Sequence, residues 1–259
     1  MENISIIFLY TLSIAVLFMG VGWIVSLIIN NVTVVDSLWG LGFPLIAWVT
    51  FFLSNGYVVR KILITILVTI WGLRLSIYLT WRNWGMGEDP RYKKMRERAG
   101  NQFRVKSLYM VFLLQAVLMW LISLSLQYGQ MASHPAELTS WDMAGILFWG
   151  VGFFFQAVGD WQLAEFKSRT ENRGRVMDRG LWGYTRHPNY FGEALMWWGI
   201  FIITTAVPYG WWTIVSPVMI TYLLLRVSGI PMTENVIKKS RPGYEEYIKN
   251  TNSFIPWKT

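Results

Sequence analysis

A chain of 259 residues that is 54% hydrophobic and carries a net charge of +8 is too apolar for an ordinary soluble domain. It contains no cysteine, which excludes disulfides, iron–sulfur clusters and thiolate metal sites. Its two histidines, His134 and His187, fall on opposite sides of the predicted topology, so they cannot share a metal or bracket a haem.

The apolar residues come in blocks of about 20, roughly what a helix needs to cross a 30 Å hydrocarbon core. In chain order, spans are predicted at 4–29, 34–53, 57–79, 108–127, 143–166, 190–207 and 209–230. The first follows Met-Glu-Asn, without a positive n-region or a small-residue cleavage site, and is expected to be retained. Basic residues gather in the segments 81–107, 167–189 and 232–259, which a seven-span arrangement puts on one side. The other side then holds only Arg60 and Lys61. The positive-inside rule makes the basic side cytosolic, with the N-terminus external and the C-terminus cytosolic. A six-span arrangement breaks that agreement. The basic charge is read as topological or attracted to lipid head groups, and no nucleic acid is expected.

No linker or internal repeat interrupts the chain, so a single membrane domain over 1–259 is predicted. No seam of small residues stands clear of the general glycine content. Two of the long cytosolic segments are rich in aromatic and turn residues, 180–192 and the tail 232–259, and are expected to fold as caps over the helix ends.

Ionisable residues at membrane depth are candidates for function. Asp36, Arg74, Asp160, Glu193 and Arg226 stand there, and pairing with one another is the plainer alternative. Gln156, Asp160, Leu163 and Lys167 recur at helical spacing and give the fifth span a largely polar stripe that implies a wet cavity. Arg186, His187, Asn189 and Glu193 cluster at the start of the sixth, a helix N-terminus suited to an anion. No dinucleotide fingerprint on a strand, no phosphate-binding loop ending in Gly-Lys-Ser/Thr and no Gly-x-Ser-x-Gly elbow is present.

Asp160-Trp-Gln, Phe166-Lys167, Asn172-Arg-Gly-Arg175 and Gly180-Leu-Trp-Gly-Tyr-Thr-Arg-His-Pro-Asn-Tyr-Phe-Gly-Glu193 resemble the signature of the membrane steroid 5α-reductase (3-oxo-5α-steroid 4-dehydrogenase) family. Val35-Asp36-Ser-Leu-Trp-Gly40, Pro90-Arg-Tyr92 and the ending Phe254-Ile-Pro-Trp257 are similar to a bacterial branch of it. The resemblance covers nearly the whole chain and is most specific over 156–193. It implies a seven-helix bundle in a bacterial inner membrane, with cytosolic loops capping a cofactor cavity. NADPH would bind there and reduce the Δ4 double bond of a 3-oxosteroid or similar hydrophobic enone. Asp160, Arg175, Asn189 and Glu193 match cofactor-contacting positions. Tyr184, Arg186, His187 and Tyr190 lie within the same motif, and Lys167 stands where relatives carry an Arg. Gln156, Arg226, Arg241 and Tyr244 are further cofactor-site candidates.

Hydride addition to an enone pushes electron density onto the carbonyl oxygen, which a neutral acid or phenol must stabilise. The family uses a Glu and a Tyr. Asp36 is the counterpart of the Glu, with a helix N-cap or a partner for Arg74 as the alternative. The Tyr position is occupied by Trp71, and Tyr78, two turns further on, is the candidate phenol. No metal is implied. Arg186-His-Pro-Asn-Tyr190 with Glu193 and the Tyr-Glu-Glu-Tyr tail also resemble isoprenylcysteine and phospholipid methyltransferases, which use S-adenosylmethionine. A lipid-binding or transport protein is the non-enzyme alternative.

Overall fold

The first helix inverts the pattern of a soluble protein. In the computed structural model, which describes residues 4–257 apart from the side chain of Lys239, α1 (Ile4–Ile28) turns Thr11, Ala15, Gly22 and Ser26 inward. Leu9, Leu17, Val21 and Ile28 face outward and are 60–77% exposed. Ile7 and Met19 are buried with the inward residues. Large apolar groups outside and mostly small ones at the contact suit a lipid surrounding, where helices associate by close packing. Met1–Asn3 and Lys258, read above for a leader and for charge, lie outside the described residues.

Among the described residues every regular element is helical. Six helical stretches are long and apolar enough to cross a membrane: Ile4–Ile28, Val34–Leu53, Val58–Asn83, Pro90–Ile122, Ser140–Ser168 and Gly210–Lys238. This is the build of a multi-pass membrane protein. The chain divides into two units, Met1–Thr139 with Thr204–Thr213, and Ser140–Ile203 with Ile214–Thr259.

In the first unit α2 (Val34–Leu53) packs along α3 (Val58–Asn83). Pro44 lies inside α2 and has no N–H to give the carbonyl of Gly40. A Cβ on Gly40 would stand 2.7 Å from the Gly72 carbonyl oxygen, so the two backbones touch there. Phe43 fills the flank between Trp39 and Trp71, edge to face at 5.1 and 5.2 Å. After α3 come α4 (Pro90–Ala99) and α5 (Phe103–Ser107), then a π-helical turn (Leu108–Leu113) into α6 (Leu114–Ile122) and α7 (Leu124–Met131).

The two ends of this unit are held differently. At one, the turn after α2 meets the segment after α7: the Tyr57 N–H donates to Ala132 at 3.0 Å, and Arg60, fully buried, donates to the carbonyls of Pro135 at 3.0 Å and Glu137 at 2.7 Å. Lys61 donates to the Ser54 carbonyl. Both basic residues on the side read as external therefore serve loop carbonyls. At the other end the turn after α1 meets the segment before α4. Glu88 accepts from the Val32 N–H at 3.0 Å and from Arg96 at 2.7 and 2.9 Å, and Thr33 accepts from the Asp89 N–H at 2.7 Å.

The second unit is organised by α8 (Ser140–Ser168) and α9 (Pro188–Thr205), whose last two residues belong to the first unit. Gly145, Gly152 and Gly159 recur every seventh residue on α8, and Gly192 and Gly199 do so on α9. A Cβ on Gly152 would lie 2.6 Å from the Gly192 carbonyl oxygen, and one on Gly199 2.7 Å from that of Gly145. Gly159 faces Pro188. The helices thus run antiparallel with their backbones touching along most of their length. This seam was not expected from the sequence. The sixth predicted span does form α9, an 18-residue helix, but its polar Pro-Asn-Tyr-Phe-Gly-Glu start keeps it outside the six apolar stretches. The unit continues through α10 (Val215–Tyr222), a π-helical turn (Leu223–Val227), α11 (Ile230–Ser240) and α12 (Tyr244–Asn250).

Candidate functional site: a basic cleft over a polar helix pair

The glycine seam frees room between α8 and α9, and polar side chains take it. Gln156 donates through Nε2 to Oε2 of Glu193, and Asn189 donates through Nδ2 to Oδ1 of Asp160 at 3.0 Å. Gln156, Asp160 and Glu193 are all buried. The two rungs stand one helical turn apart, so the first two members of the stripe predicted on the fifth span, Gln156 and Asp160, face α9. Pro188 occupies the first helical position of α9, where its missing N–H is no loss.

The segment before α9 is tied to the tail. Arg186 donates through Nε to Glu234 at 2.8 Å, and through a terminal nitrogen to the carbonyls of Ile248 and Thr251 at the end of α12. Its own N–H reaches the Asn252 carbonyl at 2.8 Å. His187 places Nε2 3.3 Å from Oε1 of Glu234 and stacks on Tyr190, whose hydroxyl lies 2.9 Å from that of Thr233. Burial holds the His187 imidazole below its ordinary pKa, and the Glu234 carboxylate only partly offsets this. Tyr244 is buried beside the same group, and its phenol is pushed up to about 12 by burial and by Glu234. Thr185 donates to Phe254, the Trp257 N–H to Tyr184, and the Tyr247 hydroxyl to Trp182. Both aromatic-rich segments thus fold as caps, as expected, and they do so by binding each other. Arg186, His187, Tyr190 and Tyr244 are engaged in that join.

What opens to solvent lies elsewhere, on the segment between α8 and the cap. Three adjoining clefts of about 710, 430 and 210 Å³ share Phe166 and Asn172 as walls. The largest runs from Arg175 and Arg179 to Pro242, Tyr247 and Thr251. The second adds Trp161, Gln162 and Met177. The smallest is lined by Lys167, Arg169, Arg173 and Arg241. Gly174, with φ of 82°, makes the left-handed turn that sets Arg173 and Arg175 on either side of it. Arg241 donates to the Arg175 carbonyl and pins the turn. Of the predicted cofactor residues, Arg175, Lys167 and Arg241 line these clefts. Asp160, Asn189, Gln156 and Glu193 form the rungs, and Tyr184 and Arg226 are exposed outside the clefts. In the sequence Arg169 and Arg179 stand out only as topological charge, and Arg173 only as a member of the Asn172-Arg-Gly-Arg175 motif. Their position around Asn172-Arg-Gly-Arg175 was the available signal.

The two candidate catalytic residues belong to the first unit. Asp36, in the first turn of α2, accepts from the Tyr92 hydroxyl at 3.4 Å and lies 3.7 Å from Arg91. Arg91 is itself held by Asp89 at 2.9 Å. Tyr78 instead lies under the guanidiniums of Arg74 and Arg82, at 5.1 and 5.9 Å from its ring. The phenol on Asp36 is therefore Tyr92, from the Pro90-Arg-Tyr92 element.

A helical multi-pass membrane protein with a basic cleft at the end of a polar helix pair is the class these features define. The chain belongs to the family described as "Protein of unknown function (DUF1295)", which it matches over residues 22–251. An uncharacterized protein of Schizosaccharomyces pombe, C594.04c, is 22% identical over 272 residues, 90% of this chain and 75% of its own length. No solved structure matches the chain.

Proposed function

We propose that the protein is an NADPH-dependent reductase of a hydrophobic enone, a 3-oxosteroid or a compound like it, working in a bacterial inner membrane. The observation that carries this reading is the run of three clefts around Asn172-Arg-Gly-Arg175. The larger two have the size of small-molecule sites, roughly 300–1,000 Å³, and offer Trp161, Phe166 and Tyr247 beside Arg175 and Arg179. Rings beside guanidiniums suit a base and its phosphates. S-adenosylmethionine offers one carboxylate and no phosphate, and its sulfonium is repelled by cationic walls, so a cleft with this much basic charge favours the dinucleotide and the reductase reading. The family includes steroid 5α-reductase-like membrane proteins, which agrees with this choice.

NADPH supplies a hydride when bound. The chain's own residues do the rest in this reading: Arg175, Arg179 and Lys167 hold phosphate oxygens, while the Asp160–Asn189 and Gln156–Glu193 rungs fix the helix ends beneath. In the first unit the Tyr92 hydroxyl donates to Oδ1 of Asp36, and in this reading a protonated Asp36 donates from its other oxygen to the enone's carbonyl oxygen. Seven spans, with the N-terminus external and the tail cytosolic, complete the proposal. They are supported by α9 running antiparallel to spanning α8 along the glycine seam, and by the tail binding the loop that follows α8.

Binding of NADPH, NADH and S-adenosylmethionine to the detergent-solubilised chain tests the reading. Tight NADPH binding weakened by Arg175→Ala and Asn189→Ala is the expected result. Binding of S-adenosylmethionine alone would sink it.

A further inference from the structure

The three clefts differ in charge. Asp178 and Glu246 share the largest with its two arginines, and Glu165 and Glu171 share the second. The smallest has Lys167, Arg169, Arg173 and Arg241 in its lining and no carboxylate. At about 210 Å³ it falls below the size of ordinary small-molecule sites but has room for one tetrahedral anion.

Two plainer readings account for part of this charge. Lys167 stands in the last turn of α8, where a cation complements the helix dipole. Arg169 pairs with Glu165 at 2.6 Å, one turn back. Neither explains Arg173. It sits past the helix end, directly before the left-handed Gly174, and among the described residues it makes no ion pair. Arg241 is held against the Arg175 carbonyl, so its charge is fixed at the cleft wall. Like charges lining one cleft repel one another, and a doubly charged anion relieves that repulsion.

The geometry points to the small cleft as a phosphomonoester site centred on Arg173. Resting on the reductase reading, its occupant is the 2′-phosphate of NADPH, and the cleft selects NADPH over NADH. The shared chemistry, a terminal phosphate dianion, also belongs to the head group of phosphatidate, and the test separates the two. The neighbouring clefts, with their rings and mixed charge, take the rest of the nucleotide.

The experiment uses the full chain in detergent and in nanodiscs. Adenosine 2′,5′-bisphosphate and adenosine 5′-monophosphate are titrated against wild type, Arg173→Gln and, as a control for general basic charge, Lys94→Gln. Wild type should prefer the bisphosphate by about 10-fold, the worth of one charge-assisted hydrogen bond. Arg173→Gln should bring the ratio close to one, and Lys94→Gln should leave it unchanged. Equal loss in both variants overturns the site. With no preference in wild type, Arg173-dependent retention of phosphatidate over phosphatidylcholine in nanodiscs keeps the phosphomonoester site and changes its source. Absence of both overturns the proposal. NADPH binding that survives Arg173→Gln with no change in its ratio to NADH leaves the reductase standing and removes the cleft. Arg173-dependent phosphate binding without any dinucleotide binding does the reverse.

Discussion

The segments 166–179 and 180–193 adjoin in sequence and both carry arginine, yet they do opposite things with it. In 180–193, Arg186 is buried, and its donors are consumed by Glu234 and by the carbonyls at the end of α12. In 166–179, Arg173 and Arg175 are exposed around a turn and line clefts. The denser motif is thus architecture, the join between loop and tail. The sparser one lines open clefts with its charge. A buried guanidinium must have every donor satisfied by the protein, whereas an exposed one can leave donors to water and exchange them for phosphate.

That contrast can be broken by substitution, beginning with the largest effect. Arg186→Ala leaves Glu234 buried without its main partner. It should destabilise the protein by about 3–5 kcal/mol, the usual cost of breaking a buried pair. Limited proteolysis should then cut the 241–257 segment first. Unchanged resistance there would remove the join from the account.

Next comes the seam beneath both segments. Gly152→Val drives side-chain atoms into the Gly192 backbone and should cost about 1–3 kcal/mol, seen as a lower melting temperature in detergent. Gly150→Val, on the same helix, meets nothing within 4 Å and should melt like wild type. Equal losses would show that the contact with the Gly192 backbone is not what decides.

His187 gives the join a pH dependence. Its folded pKa lies below its unfolded value, so the unfolded chain takes up the proton first as the pH falls. Stability is fully present above the unfolded value of about 6.5 and is lost as the pH drops below it. Melting temperature should fall between pH 7 and 5 more steeply in wild type than in His187→Gln. Parallel curves would assign the slope to other groups.

The smallest structural effect belongs to the cleft. Arg173→Gln touches no buried group and should change stability by less than about 0.5 kcal/mol while altering phosphate binding. A large loss of stability would move Arg173 into the architecture beside Arg186.

Much of this fold was legible. Hydropathy placed the apolar helices, and α2 and α3 begin within a residue of their predicted starts. The tail aromatics did anchor back, because Tyr247 and Trp257 each bond the cap. Two things were not legible. Glycines spaced by seven are visible in the sequence, but they mean a seam only when the opposing helix presents its own glycines at the matching height. The candidate phenol in the sequence is Tyr78, two turns beyond Trp71 at the family's Tyr position, yet the phenol that meets Asp36 is another. The segment before α4 folds back and delivers Tyr92 from 56 positions away.

The sequence by itself determined which segments are helices, which of them suit lipid, and in which segments the charge collects. Those properties are local sums of transfer energy and charge along the chain. Tertiary structure alone decided which arginines are consumed and which are open, and which tyrosine meets the acid. These depend on how helices pair and how loops return, and so on contacts between residues far apart in the chain.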